Sequence, residues 1–169
     1  MNVVTPNYES HSKDYKELVA ALENHELSPL KLTKIFTFAI ETTEFNIDPP
    51  QKDTYAGDTD YSLVISVDHG KNSFLFAGDA EEERLTELIE SKNLEHTVLK
   101  VPHHGRYNEK NTAFFTSVNP KYAIITCSDK NPEAEEVMDA LKQVGAEVYL
   151  TRKGNIYISS DGDAFRINQ

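Results

Sequence analysis

The sequence predicts a single α/β domain over residues 1–169. Short runs of apolar and β-branched residues, typical of buried strands, alternate with longer segments in which apolar residues recur at helical spacing. The chain contains no internal repeat, low-complexity tract or linker. At 169 residues it has the usual size of one domain with its own core.

The N-terminal third predicts one helix between short strands. Residues 2–5 form a predicted strand, and residues 34–45 contain enough β-branched and apolar residues for one or two more. Between them, residues 12–27 predict an amphipathic helix, whose apolar face consists of Tyr15, Leu18, Val19 and Leu22. Residues 48–58 are rich in Pro, Gly and Asp, which indicates a polar loop.

The central segment predicts a hairpin, a helix and a further strand. Residues 63–67 and 74–77 are apolar runs joined by residues 68–71, which suit a hairpin turn. Residues 80–92 predict a helix, because Leu85, Leu88 and Ile89 share a face and acidic residues fill the first turn, where the helix dipole favours them. A strand at residues 97–101 follows.

The C-terminal third completes the alternation with helices at 111–117 and 132–144 and strands at 122–126, 147–150, 155–159 and 164–167. We expect the strands near 62–67, 73–77, 97–101 and 122–126 to share one sheet. The one-sided apolar stripes of the helices 80–92 and 132–144 predict that both lie on the same, outer face of that sheet.

Composition limits the classes of function. The net charge of −11, from 28 acidic and 17 basic residues, opposes a general nucleic-acid-binding surface, because such surfaces rely on Lys and Arg. No apolar stretch approaches the roughly 20 residues of a membrane helix, and the N-terminus lacks the pattern of a signal peptide. We therefore expect a soluble, cytoplasmic protein. The single cysteine, Cys127, lies in an apolar run and is expected to be a buried, inert thiol.

Two strand ends carry side chains capable of binding a metal. Asp79 follows the predicted strand 74–77, and His103 and His104 follow the predicted strand 97–101. Loops at strand ends commonly form sites in α/β folds, and imidazoles are common zinc ligands. Two structural alternatives remain open: Asp79 is a favoured N-cap residue for the next helix, and the histidine pair suits an exposed polar loop. No motif surrounds the other histidines, His11, His25, His69 and His96.

Five segments occur in a recognisable order: residues 61–65 (YSLVI), 74–79 (FLFAGD), 98–105 (VLKVPHHG), 119–125 (NPKYAII) and 145–156 (GAEVYLTRKGNI). Together they resemble the C-terminal portion of the metallo-β-lactamase-fold domain of the ComEC-type competence hydrolase family. The resemblance covers most of the chain from about residue 34 onward. It implies a four-layer αββα sandwich that binds one or two metal ions, usually zinc, with manganese as an alternative. Those metals activate water for attack on an ester or phosphodiester.

The resemblance also implies roles for three residues. Asp79 matches the aspartate that bridges two metal ions, and His104 matches the final histidine ligand. His103 is then a catalytic group that either supports a metal ligand or contacts the substrate. The sequence leaves the order of the two histidines open.

One departure from the family pattern limits this expectation. The family carries a His-x-His-x-Asp-His motif in its N-terminal half, but no His-x-His occurs in this sequence, and Thr59 stands where a middle histidine is expected. Asp58 and Asp60 flank Thr59 as oxygen ligands or, alternatively, as solvated loop acids. Asp79 and His104 alone supply two protein ligands, one fewer than the three that catalytic zinc sites combine with a water.

The sequence therefore predicts an αββα domain that is incomplete at its N-terminus and has an incomplete metal site. Two functions follow: part of a metal-dependent hydrolase, phosphodiesterase or nuclease-like by resemblance, or a non-catalytic domain that acts through protein contacts. For either, we expect weak metal binding and little hydrolysis by the isolated chain. Self-association or a missing N-terminal segment is expected to cover the apolar surface left open.

Overall fold

The computed structural model describes residues 3–91 and 93–169. Asn2, predicted to begin the first strand, and Lys92, predicted to end the helix 80–92, lie outside the described residues. The strands are β1 (Val4–Pro6), β2 (Leu30–Leu32), β3 (Phe36–Ile40), β4 (Thr43–Asp48), β5 (Val64–His69), β6 (Asn72–Phe76), β7 (Val98–Lys100), β8 (Tyr122–Ile125), β9 (Glu147–Leu150), β10 (Tyr157–Ser160) and β11 (Phe165–Asn168). The helices are α1 (Lys13–Asn24), α2 (Glu82–Glu90), α3 (Asn111–Val118) and α4 (Glu135–Gln143).

A seven-stranded mixed sheet, ordered β3-β4-β5-β6-β7-β8-β9, forms the centre of the molecule. Its first four strands are an antiparallel meander, and β6 to β9 are parallel. The parallel strands need crossovers, which α2, α3 and α4 supply. The four strands that the sequence predicted to share a sheet do so, and the mixed α/β fold class is confirmed.

The helices α2, α3 and α4 pack on one face of this sheet. Leu75, Leu99 and Ile125 point from the strands into a single buried cluster that also contains side chains of all three helices. The helix residues in that cluster are Leu85, Leu88, Phe114, Phe115, Val118, Val137, Ala140 and Leu141. Helices α2 and α4 therefore share one face, as their apolar stripes predicted. The predicted four-layer αββα sandwich is a more specific architecture than this mixed α/β fold, and it stays a prediction.

Two predicted helix starts are wrong by a few residues. Pro132 does not begin α4, because Ala134 is still extended and its N–H donates to the carbonyl of Gly105 at 2.9 Å. The helix α2 begins at Glu82 rather than residue 80, and amides at its start donate to a carboxylate from outside the helix, as described below. In both cases a tertiary hydrogen bond decides where the helix starts, and sequence pattern alone does not record it.

Smaller units flank the sheet. The parallel pair β1 and β2 is joined by α1, whose N-cap Ser12 accepts a hydrogen bond from Tyr15 N at 3.1 Å. The antiparallel hairpin of β10 and β11 turns at residues 161–164, near the predicted turn. None of the helices in the described ranges has the length and apolar character to cross a bilayer.

The face opposite the helices is largely apolar, as strand register shows. One row of paired residues crosses the sheet as Phe36, Ile47, Ile65, Phe76, Lys100, Ile124 and Tyr149. The hairpin of β10 and β11 covers the β8 end of this face, where Phe165 meets Tyr122 edge-on with ring centroids 5.0 Å apart. Towards β3 the face is open, and Phe36, Ile40 and Phe76 are exposed. We call this surface the open sheet face.

Candidate functional site

Asp79 stands at the end of β6 on a tightly constrained backbone. Gly78 has a φ of +60°, and a Cβ there would lie 3.0 Å from the Cβ of Ser62, so both conformation and space favour glycine. The N–H of Asp79 donates to Ser62 Oγ at 3.1 Å. The carboxylate is thus held just beyond the sheet edge, and its side chain is 42% exposed.

The second element is the turn Pro102–Gly105, which follows β7. His103 and His104 both adopt left-handed backbone conformations, with φ of 43° and 58°. Such conformations cost a non-glycine residue on the order of 1 kcal/mol each. At Gly105, where φ is +75°, a Cβ would approach Ile125 Cγ2 to 2.8 Å. This strained turn directs the two imidazoles to different places.

His104 faces Asp79. Its Nε2 lies 3.6 Å from Asp79 Oδ1, and its Nδ1 lies 2.8 Å from the carbonyl oxygen of Thr126. Because a carbonyl oxygen only accepts hydrogen bonds, Nδ1 carries the proton, and in the neutral ring Nε2 presents its lone pair towards the carboxylate. Two acceptors that face each other in this way are suited to sharing a cation. Asp79 and His104 therefore converge, as the positions of their strands predicted.

His103 turns away from Asp79. Its Nδ1 donates to Glu81 Oε1 at 2.7 Å, and Glu81 Oε2 accepts a hydrogen bond from Thr59 Oγ1, also at 2.7 Å. The imidazole is only 14% exposed. The structure thus places the predicted catalytic histidine in a hydrogen-bonded chain beside the start of α2. The role predicted for His103 as a group that contacts the substrate stays a prediction.

Lys100 is a site residue that the sequence reasoning missed. Its Nζ lies 3.6 Å from Asp79 Oδ1 and donates to the carbonyl of Gly78 at 2.8 Å. Burial lowers the pKa of Lys100, and the neighbouring Asp79 carboxylate opposes that shift. One signal was available: Lys100 interrupts an otherwise apolar strand, which indicates a partly buried ammonium in need of a partner.

The acids beside Thr59 have structural contacts. Asp60 is 4% exposed, and its Oδ1 accepts hydrogen bonds from the N–H groups of Glu81 and Arg84 at the start of α2. Asp60, rather than Asp79, is therefore the carboxylate that caps this helix, and it is not the solvated loop acid considered from sequence. Asp58 accepts hydrogen bonds from Tyr8 and Ser10.

The described parts of the chain, 3–91 and 93–169, contain no group of three or more His, Cys, Asp or Glu side chains arranged to hold a metal ion. Asp79 and His104 form a pair, and Lys100 supplies the positive charge beside them. This arrangement brings a carboxylate, an imidazole and an ammonium group together at the carboxyl ends of β6 and β7.

The chain is similar to two curated bacterial proteins. It is 29% identical to ComE operon protein 3 of Bacillus subtilis (strain 168) over 130 residues, which cover 76% of this chain and 17% of that protein. It is 28% identical to Recombination protein 2 of Haemophilus influenzae over an alignment of 174 positions, which covers 100% of this chain and 20% of that protein. No model of a known protein family matches the chain. The chain therefore spans about a fifth or less of the length of the relatives to which it is similar.

Proposed function

We propose that this chain is part of a metal-dependent hydrolase of the metallo-β-lactamase superfamily, and that Asp79 and His104 contribute two ligands to its metal ion. The observation that carries this proposal is the facing pair of acceptors, His104 Nε2 and Asp79 Oδ1, 3.6 Å apart. Zinc bonds of about 2.0–2.2 Å in a tetrahedral site place neighbouring nitrogen and oxygen ligands roughly 3.4 Å apart. The observed separation supports shared coordination of one ion.

The donor set is too small for a catalytic site. Catalytic zinc sites use three protein ligands and leave one position for water, whereas this pair supplies two. Zinc or manganese would polarise a phosphoryl group or a water molecule if the site were completed. We therefore propose that the isolated chain binds such ions weakly and hydrolyses little or no phosphodiester. A further segment of polypeptide or a second copy of the chain is proposed to complete the domain.

Two features support the proposed αββα architecture. Helices α2, α3 and α4 pack on one face of the central sheet, and the open sheet face presents Phe36, Ile40 and Phe76 to solvent. A second sheet packed against an apolar face is the usual way to bury it. The αββα fold and the phosphodiester substrate class are proposed from the resemblance to the ComEC-type family. The similarity to Recombination protein 2 and ComE operon protein 3 agrees with that resemblance.

The metal proposal is tested by calorimetric titration of the wild-type chain with Zn²⁺ and Mn²⁺, together with Asp79→Asn and His104→Gln. Weak binding of one ion is expected for the wild type, and each substitution is expected to abolish it, because each removes half of the donor pair. His25→Gln is the matched control, since His25 is exposed and lies at the end of α1. Equal binding by all four proteins would overturn the proposal.

The same proteins are assayed for turnover of bis-p-nitrophenyl phosphate with added zinc or manganese. We expect no turnover above background. Wild-type turnover that is lost in Asp79→Asn or His104→Gln would mean that this chain is a complete enzyme, and the proposal that its site is incomplete would be wrong.

One observation favours a second function. The Lys100 ammonium neutralises Asp79 without any metal, and the open sheet face resembles a surface for protein contacts. In a non-catalytic domain that acts through protein association, Lys100 balances the charge of Asp79 and the open sheet face contacts the partner. Metal titration separates the two proposals, because the non-catalytic domain has no need of an ion at Asp79.

A further inference from the structure

A cavity of about 350 Å³ adjoins His104. His104 and Arg106 form one wall, and the loop after β8 forms the other through Thr126, Ser128, Asn131 and Pro132. Its volume falls within the range of small-molecule sites, which is about 300–1,000 Å³. The cavity therefore has room for an ionic group together with a small organic substituent.

Three hydrogen bonds hold the two walls in place. Asn111, which is almost fully buried, donates from Nδ2 to the carbonyl oxygen of Arg106 at 3.1 Å. Across the cavity, the N–H of Asn131 donates to Ser128 Oγ at 3.1 Å. The bond from Ala134 N to the Gly105 carbonyl ties the walls together. The cavity is thus formed before any ligand arrives, which lowers the entropic cost of binding.

The charges around the cavity favour an anion. The lining contains Arg106 and no acidic residue, in a chain with a net charge of −11. Among the described residues, Arg106 has no carboxylate within 4.0 Å of its guanidinium, whereas Arg84 and Arg152 are both ion-paired. Arg106 is exposed, so its guanidinium is available to a ligand.

Glu133, an acid that adjoins the second wall, is already neutralised. Glu133 follows Pro132 and accepts two hydrogen bonds from Arg152, at 3.0 and 2.9 Å. These contacts lower the pKa of Glu133 to about 2. Its charge is thereby paired with a guanidinium outside the cavity lining and offers little repulsion to a bound anion.

We propose that this cavity binds a tetrahedral oxyanion, namely inorganic phosphate or the phosphate group of a phosphomonoester, with Arg106 as the principal donor. The planar guanidinium matches two oxygens of a phosphate at once. The hydroxyl of Ser128 and the side-chain amide of Asn131 supply neutral donors on the facing wall. This inference goes beyond the proposed hydrolase function, because it needs no metal ion.

The test is a titration of the metal-free chain with sodium phosphate and, separately, with phenyl phosphate. Ionic strength is held constant and a chelator is present. Binding is measured from the amide chemical shifts. Saturable binding is expected, with shifts centred on the loop after β8. Arg106→Gln is expected to weaken binding about tenfold or more, since it removes a charge-assisted bidentate contact. Ser128→Ala is expected to weaken binding a few-fold.

Arg166→Gln is the matched control, because Arg166 is an exposed arginine on β11 and is absent from the cavity lining. It removes the same charge and is expected to bind phosphate as the wild type does. Non-saturable binding by the wild type, or equal loss in the two arginine variants, would overturn the inference. Because the chelator removes metal ions, this outcome is independent of the metal titration of Asp79 and His104.

Discussion

At the scale of single residues, Lys100 places a positive charge beside the Asp79 carboxylate. Its ammonium lies 3.6 Å from the same oxygen, Oδ1, that faces His104 Nε2. A divalent cation at Asp79 and the Lys100 ammonium therefore repel each other. Since Lys100 is 19% exposed and its pKa is lowered by burial, solvent screens this repulsion only in part.

We expect Lys100→Met to strengthen Zn²⁺ or Mn²⁺ binding about tenfold or more, because even in a water-like dielectric a repulsion of about 1–2 kcal/mol is removed. Methionine retains much of the apolar stem, so packing against the sheet is kept. The measurement is calorimetric titration beside Lys71→Met, in which an exposed lysine is lost from the far β5–β6 turn. Weaker binding by Lys100→Met would show that the ammonium supports the ion site.

Among the secondary-structure elements, α2 depends on a carboxylate from elsewhere in the chain. The 3-10 turn Asp58–Tyr61 places Asp60 against the first amides of α2, and the same turn places Thr59 on Glu81, which in turn holds His103. The start of α2 and the His103 imidazole are therefore positioned together.

Asp60→Ala is expected to lower the free energy of unfolding by about 2 kcal/mol, because it removes a helix cap and leaves two amides at a buried position without an acceptor. Urea unfolding followed by circular dichroism measures the change. Asp60→Asn retains an acceptor oxygen and is expected to lose less. Asp53→Ala, in the exposed loop before this turn, is the control. A loss in Asp53→Ala equal to that in Asp60→Ala would contradict the capping role.

Sequence patterns predicted the type of these elements better than they predicted the contacts between side chains. The apolar runs of β5 to β8 and the stripes of α2 and α4 are local signals, so their type and their common sheet were predictable. The convergence of Asp79 and His104 followed from neighbouring strand ends. The roles of Asp60 and Lys100 and the turn of His103 towards Glu81 depend on partners 21 or more residues away, for which no local pattern exists.

At the scale of the whole molecule, the two faces of the central sheet are covered unequally. Helices α2, α3 and α4 pack on one face over the parallel strands, whereas the hairpin of β10 and β11 covers only part of the other face. The edge strand β3 adds unpaired backbone groups next to the open sheet face. Exposed edges and apolar faces of this kind promote association.

We expect the isolated chain to self-associate at micromolar concentration, as sedimentation velocity would measure. The double variant Phe36→Glu with Ile40→Glu places two charges on the open sheet face at its β3 edge and is expected to shift the chain to monomer. Replacing Leu18 and Leu30, which are exposed outside the central sheet, with glutamate is the control. A monomeric wild type would contradict the expectation.

The left-handed backbone at His103 and His104 affects how the sequences of related proteins are interpreted. Histidine, asparagine, aspartate and glycine tolerate this conformation better than β-branched residues do, and Gly105 meets both a conformational and a steric demand. The geometry of the turn thus restricts which residues can replace these three, whether or not a ligand binds. If related proteins retain His-His-Gly, this would therefore show first that they retain the turn. Retention of Asp79, whose own backbone is not left-handed, would report that the chemistry is retained as well.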